Sequence, residues 1–178
     1  QPTFLYGHSL GGNLVINSGL RRKPDLAGVI ATAPSLKLGF EPPKMKLFVG
    51  KLMANFMPAF TMSNTLDVNG LSRDKAVVKA YQTDVLVHDR VSARLALDSI
   101  QSGQYALDHA DAWELPMLLM HGSADRITSP EASQQFAEKA GEEVDLVLWE
   151  GYYHEIHNDF GNEKVIAEMI AWLDDQTA

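Results

Sequence analysis

A chain of 178 residues, 46% hydrophobic and 21% charged, has the composition of one globular domain with a sizeable core, which excludes a disordered tail, a collagenous chain and a disulfide-stapled mini-protein. Fifteen basic against twenty-three acidic residues give a net charge of −8, so no nucleic-acid partner is expected. The absence of cysteine removes disulfides, thiolate metal ligands and a cysteine nucleophile, without fixing the compartment.

The chain opens at Gln1 directly on an apolar segment, with no methionine start and no leader. The expectation is a chain cut inside a fold, with a signal peptide left open and a cytoplasmic setting favoured. Thr3-Phe4-Leu5-Tyr6 reads as a buried strand ended by Gly7. Residues 10–22 read as a helix with Leu10, Leu14, Ile16 and Leu20 as its apolar stripe, and Pro24 stops it. Arg21, Arg22 and Lys23 then complement the helix dipole rather than form a binding patch. Leu26–Ala31 is a second buried strand, so strand, helix and strand suggest a right-handed parallel crossover.

From about Ser35 to Asp111 the pattern changes. Pro42-Pro43 opens a stretch rich in methionine and phenylalanine: Met45, Phe48, Met53, Phe56, Met57, Phe60 and Met62. Helical patterns follow near residues 72–82 and 89–101 with no clear buried strand, which predicts a helical insertion. The strand–helix rhythm then returns. Met117–Met120 reads as a strand, residues 130–140 as a helix between Pro130 and Gly141, and Val144–Trp149 as a strand. Residues 162–174 read as an amphipathic helix with Val165, Ile166, Met169, Ile170 and Leu173 inward. No apolar run approaches the ~18 residues of a membrane span.

Gly7-His8-Ser9-Leu10-Gly11 fits G-x-S-x-G, with a strand before it and a helix after it, as a nucleophile elbow requires. Gly7 and Gly11 are expected to remove side chains that would clash across the turn, and Gly12 to add room. Ser9 at a helix N-terminus is the expected nucleophile, and the Leu10 N–H is the expected oxyanion donor. The alternative is a serine helix cap with glycines for packing.

A serine nucleophile needs a base, and the base an orienting acid, in the order Ser, Asp or Glu, His. Asp125 follows the strand Met117–Met120, and His154 follows Val144–Trp149. His157 competes with His154 for the base, while Asp145 and Asp159 are weaker candidates for the acid. His8, His88 and His109 read as packing or hydrogen-bonding residues. His154-Glu155-Ile156-His157 is one residue short of H-E-x-x-H, so no metal is expected. His121-Gly122 resembles the start of an oxyanion loop but leads straight into Asp125, which makes it a strand-to-acid turn.

The pieces Tyr6–Gly12, Leu71-Ser72-Arg73-Asp74, Gly122–Arg126 and Glu150–Glu155 together resemble a monoacylglycerol lipase or lysophospholipase-like serine hydrolase of the α/β-hydrolase superfamily, over its C-terminal two thirds. The resemblance implies an α/β fold, with a partial, mostly parallel sheet of about the last four of eight strands. Residues 1–34 and 111–178 would form that core, and 35–110 a helical cap. It implies Ser9 as nucleophile, Asp125 as acid and His154 as base, with no metal or cofactor. The activity would be hydrolysis of monoacylglycerol or a related monoacyl lipid ester. Phe48, Met53, Phe56 and Met57 would line an acyl channel, and Ile127 would touch substrate. Two other uses of the Met/Phe stretch stay open: the core of the cap, and an exposed face resting on a lipid surface.

The same resemblance implies four absent strands and an absent loop that supplies the second oxyanion donor, each such donor being worth ~10²–10³ in rate. The expectation is impaired activity, and an unpaired edge at residues 3–6 open to pairing with another copy. The alternatives carried forward are a non-catalytic α/β-hydrolase-like fragment or binding module, and a lysophospholipase or general carboxylesterase.

Overall fold

The computed structural model describes residues 1–41 and 44–177, with the side chains of Lys44, Lys46, Leu47 and Phe48 outside the described set. Four strands, β1 (Phe4–His8), β2 (Gly28–Thr32), β5 (Met117–Gly122) and β6 (Val144–Trp149), form one wholly parallel sheet in the order β1-β2-β5-β6. Between β2 and β5 the chain forms α2 (Lys44–Phe56), β3 (Thr61–Ser63), α3 (Lys75–Thr83), β4 (Arg90–Ser92) and α4 (Ala93–Asp108). The remaining helices are α1 (Leu10–Arg22), α5 (Pro130–Ala140) and α6 (Asn162–Asp175).

The two central strands are buried at every residue, as parallel strands covered on both faces must be. Alternate residues feed two separate cores. Val29, Ala31, Met117 and Leu119 pack with Ile16, Leu20, Leu107, Trp113 and Phe136 on one side. Ile30, Leu118 and Met120 pack with Ile156, Val165 and Trp172 on the other. The expected α/β class and partial parallel sheet are therefore observed.

α1 and α5 have the expected bounds, but their inward faces follow different rules. α1 buries Asn13 and Asn17 beside Ile16 and Leu20, while Leu14 is 60% exposed and does not belong to the stripe. The two amides replace apolar packing with hydrogen bonds to the insertion. Asn13 Nδ2 donates to Ser35 O (2.6 Å) and Ser99 O (3.2 Å), and Asn17 Nδ2 donates to Ser102 O (3.0 Å). In α6, Ile166 and Ile170 are exposed, contrary to expectation. The inward ridge is Val165, Met169, Trp172 and Leu173, set by Trp172 Nε1 donating to Asp145 Oδ2 at 2.9 Å.

Within the insertion, where no clear buried strand was expected, β3 and β4 pair antiparallel; each has three residues, none of them buried, too few to carry an apolar period. That pairing moves the start of α4 to Ala93, where Ser92 Oγ accepts from Leu95 N at 3.1 Å and caps it. α3 is capped likewise by Asp74, which accepts from Ala76 N at 2.8 Å. Among the described residues no helix is long and apolar enough to cross a membrane.

α4 is docked at backbone distance. A Cβ on Gly103 would lie 2.8 Å from the Leu36 carbonyl carbon and 3.0 Å from its Cα. Helix propensity favours alanine there by ~1 kcal/mol, but backbone cannot swing aside as a side chain can. Gly103→Ala is therefore expected to destabilise the chain by roughly 1–2 kcal/mol net, read as a lower urea midpoint at unchanged slope. A midpoint equal to or above the parent's would refute this close docking.

Candidate active site

Ser9 lies between β1 and α1 at φ 53°, ψ −117°, a left-handed backbone that a non-glycine residue holds only under constraint. Its N–H donates to Thr32 O (3.0 Å), and its carbonyl accepts from Asn13 N (3.1 Å) and Ser35 N (2.9 Å). Two glycines make the turn this tight. A Cβ on Gly7 would strike the Gly11 carbonyl, and one on Gly12 would lie 2.8 Å from Pro34 Cβ. Gly11, expected to relieve the same clash, faces open space. Leu10 opens α1, so its N–H is one of the first-turn donors without an intrahelical acceptor.

Asp125 sits in the turn after β5. Its Oδ1 accepts from Ile127 N (2.7 Å) and Thr128 N (3.1 Å). Its Oδ2 accepts from His154 Nδ1 (2.7 Å), Thr128 Oγ1 (2.9 Å) and His121 Nε2 (3.0 Å). Burial alone would raise this carboxyl, but the bonds from His121 and His154 outweigh it and hold Asp125 well below the usual carboxylate range.

His154 follows β6 in a loop fixed from two directions. Ser123 N donates to Trp149 O and Ala124 N to Tyr152 O, which joins the acid turn to the base loop. From the insertion, Gly70 O accepts from His154 N (3.3 Å) and Leu71 O from Glu155 N (2.8 Å). Asp159 completes the clamp. Its buried carboxylate accepts from the N–H groups of Arg73, Tyr153 and Phe160, from Ser72 Oγ and from Arg73 Nε. Burial would raise that carboxyl, but the backbone donors and the guanidinium leave it lowered. Sequence reasoning saw Ser72-Arg73 only as part of a resemblance and missed this pairing.

The structure thus brings Asp125 and His154 together. Among the described residues no hydrogen bond joins Ser9 Oγ to His154; such bonds often form only with substrate bound. His157 has no bond to Asp125, and its buried Nδ1 has no partner among the described residues. His8 stands between them, its ring 4.7 Å from that of His154 and 4.8 Å from that of His157. Asp145 serves Trp172, His109 stacks on Tyr105 and His88 accepts from Arg90 N.

Of the candidate substrate residues, Ile127 is buried, Met53 half-buried, and Phe56 and Met57 are exposed; the side chain of Phe48 lies outside the described set. Among the described residues no group of three or more His, Asp or Glu side chains converges as metal ligands would.

Comparison with known proteins places residues 1–160 in the family described as serine aminopeptidase, S33. An uncharacterized abhydrolase domain-containing protein of Dictyostelium discoideum is 39% identical over 97% of this chain and 19% of its own length. The monoacylglycerol lipase of Mycolicibacterium smegmatis is 29% identical over 97% of this chain and 62% of its own length. The crystal structure of Paleococcus ferrophilus monoacylglycerol lipase superposes with a TM-score of 0.94 at 34% identity, covering 99% of this chain and 69% of that one. The chain thus spans about a fifth of the first relative and about three fifths of the second.

His8 gives the site a pH signature. Burial, then the neighbouring His154 and His157, lower it from 6.5 to about 3, so it is neutral in the folded chain near pH 7. Between pH 6.5 and about 3 the unfolded chain binds a proton that folded His8 does not, so stability falls as pH falls through that window. Asp125 and Asp159, both lowered, contribute stability above the ordinary carboxylate range and lose it at more acid pH. His8→Gln is expected to lose less stability than the parent between about pH 7 and about pH 5, in urea titrations at both. An equal loss would exclude His8 as the source.

Proposed function

The chain belongs to the serine aminopeptidase, S33 (Hydrolase_4) family of α/β-hydrolases, and from that premise we propose that it is a serine ester hydrolase acting on monoacylglycerol or a related monoacyl lipid ester. Ser9 is the nucleophile, His154 the base and Asp125 the acid of this reading. The observation that carries it is the 2.7 Å bond from His154 Nδ1 to the buried Asp125 carboxylate, which lies two strands across the sheet from a serine held in a strained elbow.

With Nδ1–H committed to Asp125, Nε2 is the basic nitrogen of His154. It takes the Ser9 proton as Oγ bonds to the ester carbonyl carbon. The Leu10 N–H donates to the oxyanion. Collapse breaks the ester C–O bond, and His154 returns the proton to the departing alcohol. Water then attacks the acyl-Ser9 ester with His154 again as base, releasing the fatty acid and restoring Ser9.

The ester class rests on lipase relatives and on one surface feature. Residues 35–110 act in this reading as a cap, whose α2 and following turn expose Met45, Leu52, Phe56, Met57 and Phe60. Flexible apolar side chains suit an acyl chain or a lipid surface. One observation favours the second reading, a non-catalytic binding module: the missing bond between Ser9 Oγ and His154.

A fluorophosphonate probe separates the two. The folded chain is expected to label, Ser9→Ala to abolish labelling, and Asp125→Asn to slow it by up to ~10⁴-fold. A folded parent that does not label favours the binding module. In a panel of monoacylglycerols, lysophospholipids and short esters, a clear win for acetyl esters would remove the lipid assignment.

A further inference from the structure

His121 is the fifth residue of β5 and has no exposed surface, yet both of its ring nitrogens are engaged. Nε2 lies 3.0 Å from Asp125 Oδ2, and Nδ1 lies 2.8 Å from Ser133 Oγ on α5. Two histidines therefore converge on one carboxylate oxygen, since His154 Nδ1 reaches Asp125 Oδ2 at 2.7 Å. Thr128 Oγ1 reaches the same oxygen at 2.9 Å and is 3.2 Å from Ala33 O.

Proton accounting assigns the tautomers. An ionised carboxylate only accepts, so each imidazole must present an N–H to it. His154 then carries its proton on Nδ1, and His121 carries one on Nε2. Ser133 decides whether His121 holds a second proton. Its hydroxyl is fully buried, and His121 Nδ1 is its one hydrogen-bond partner among the described residues. A buried hydroxyl proton needs an acceptor, so Ser133 donates, Nδ1 accepts, and His121 is neutral.

We infer that His121, set by Ser133, is a positioning residue for the Asp125–His154 pair. Its Nε2–H and the Thr128 hydroxyl fix the direction of Oδ2. That direction keeps His154 in the Nδ1–H tautomer, with Nε2 as its basic nitrogen. If His121 carried its proton on Nδ1 instead, a lone pair would face the carboxylate at 3.0 Å, and Asp125 would have to turn or take up a proton. Space filling does not account for the arrangement, since leucine fills a buried site without two donors and acceptors to satisfy. The catalytic consequence rests on the hydrolase reading; the tautomers do not.

The test is ¹⁵N NMR of the histidine rings at neutral pH, joined to fluorophosphonate labelling. His121 is expected neutral with its proton on Nε2, and His154 is expected protonated on Nδ1. His121→Gln offers an amide N–H to Asp125 and a carbonyl to Ser133, so it should keep both the His154 signal and the labelling rate. His121→Leu should speed exchange of the His154 ring proton and slow labelling, each by about tenfold, the rate equivalent of one hydrogen bond. Should the leucine variant fail to fold, Ser133→Ala reads the same link, and there the His121 Nδ1 signal should shift with the loss of its donor while Nε2 keeps its proton. A wild-type His121 found protonated on Nδ1 overturns the inference. So does a folded His121→Leu with the His154 signal and labelling unchanged, or a Ser133→Ala chain with His121 unaltered. A parent chain that shows the expected tautomers but does not label removes the hydrolase reading and leaves the His121 assignment standing.

Discussion

A carboxylate taken out of water costs several kcal/mol even after its surroundings relax, and Asp125 is 7% exposed. What makes it tolerable is five donors on two oxygens, each a charge-assisted bond of the stronger class. Those donors come from β5, from the turn after it and from the loop after β6. Satisfying one charge thus ties together the ends of two adjacent strands. The carboxylate sets the register of the C-terminal edge of the sheet, where ligands of open α/β sheets bind.

A second buried carboxylate does the same for the outer side of the His154 loop. Asp159 has no exposed side-chain surface, and its main partner, Arg73, belongs to the insertion. The Arg73 guanidinium also lies 4.4 Å over the Tyr152 ring and donates to Phe160 O at 3.0 Å. The His154 loop is therefore held between Asp125 on the sheet side and the Arg73–Asp159 ion pair on the insertion side. Removing one member of such a buried pair leaves the other uncompensated. The insertion is for this reason part of the site's framework and not an appendage to it.

The strained backbone fits the same scheme. Ser9 and Ala33 both have positive φ, worth ~1–3 kcal/mol each. They sit side by side at the ends of neighbouring strands. Ser9 N donates to Thr32 O, Ala33 N donates to Met120 O, and Ser35 N donates back to Ser9 O. These bonds oppose relaxation of either residue, so the strain is stored where the serine hydroxyl must project from a sharp turn.

Elements with punctuation at both ends were legible in the sequence. α5 lies between Ser129, which caps it, and Gly141, and its bounds match the expected 130–140. Ser9, Asp125 and His154 stood out because each follows a strand. Side-chain direction was harder, because an apolar stripe counts only what water rejects. α1 turns Leu14 outward and buries two asparagines whose partners are some ninety residues away in α4. His121 shows the deeper limit. Its place beside a strand was visible, but the reading as a turn was not sound for the backbone, since His121 and Gly122 continue β5 and pair with Leu148 and Trp149. Its proton is assigned by a serine one helix later and a carboxylate four residues on, so no local pattern could state it. The chemistry of that histidine exists only once β5, its turn and α5 have closed around it.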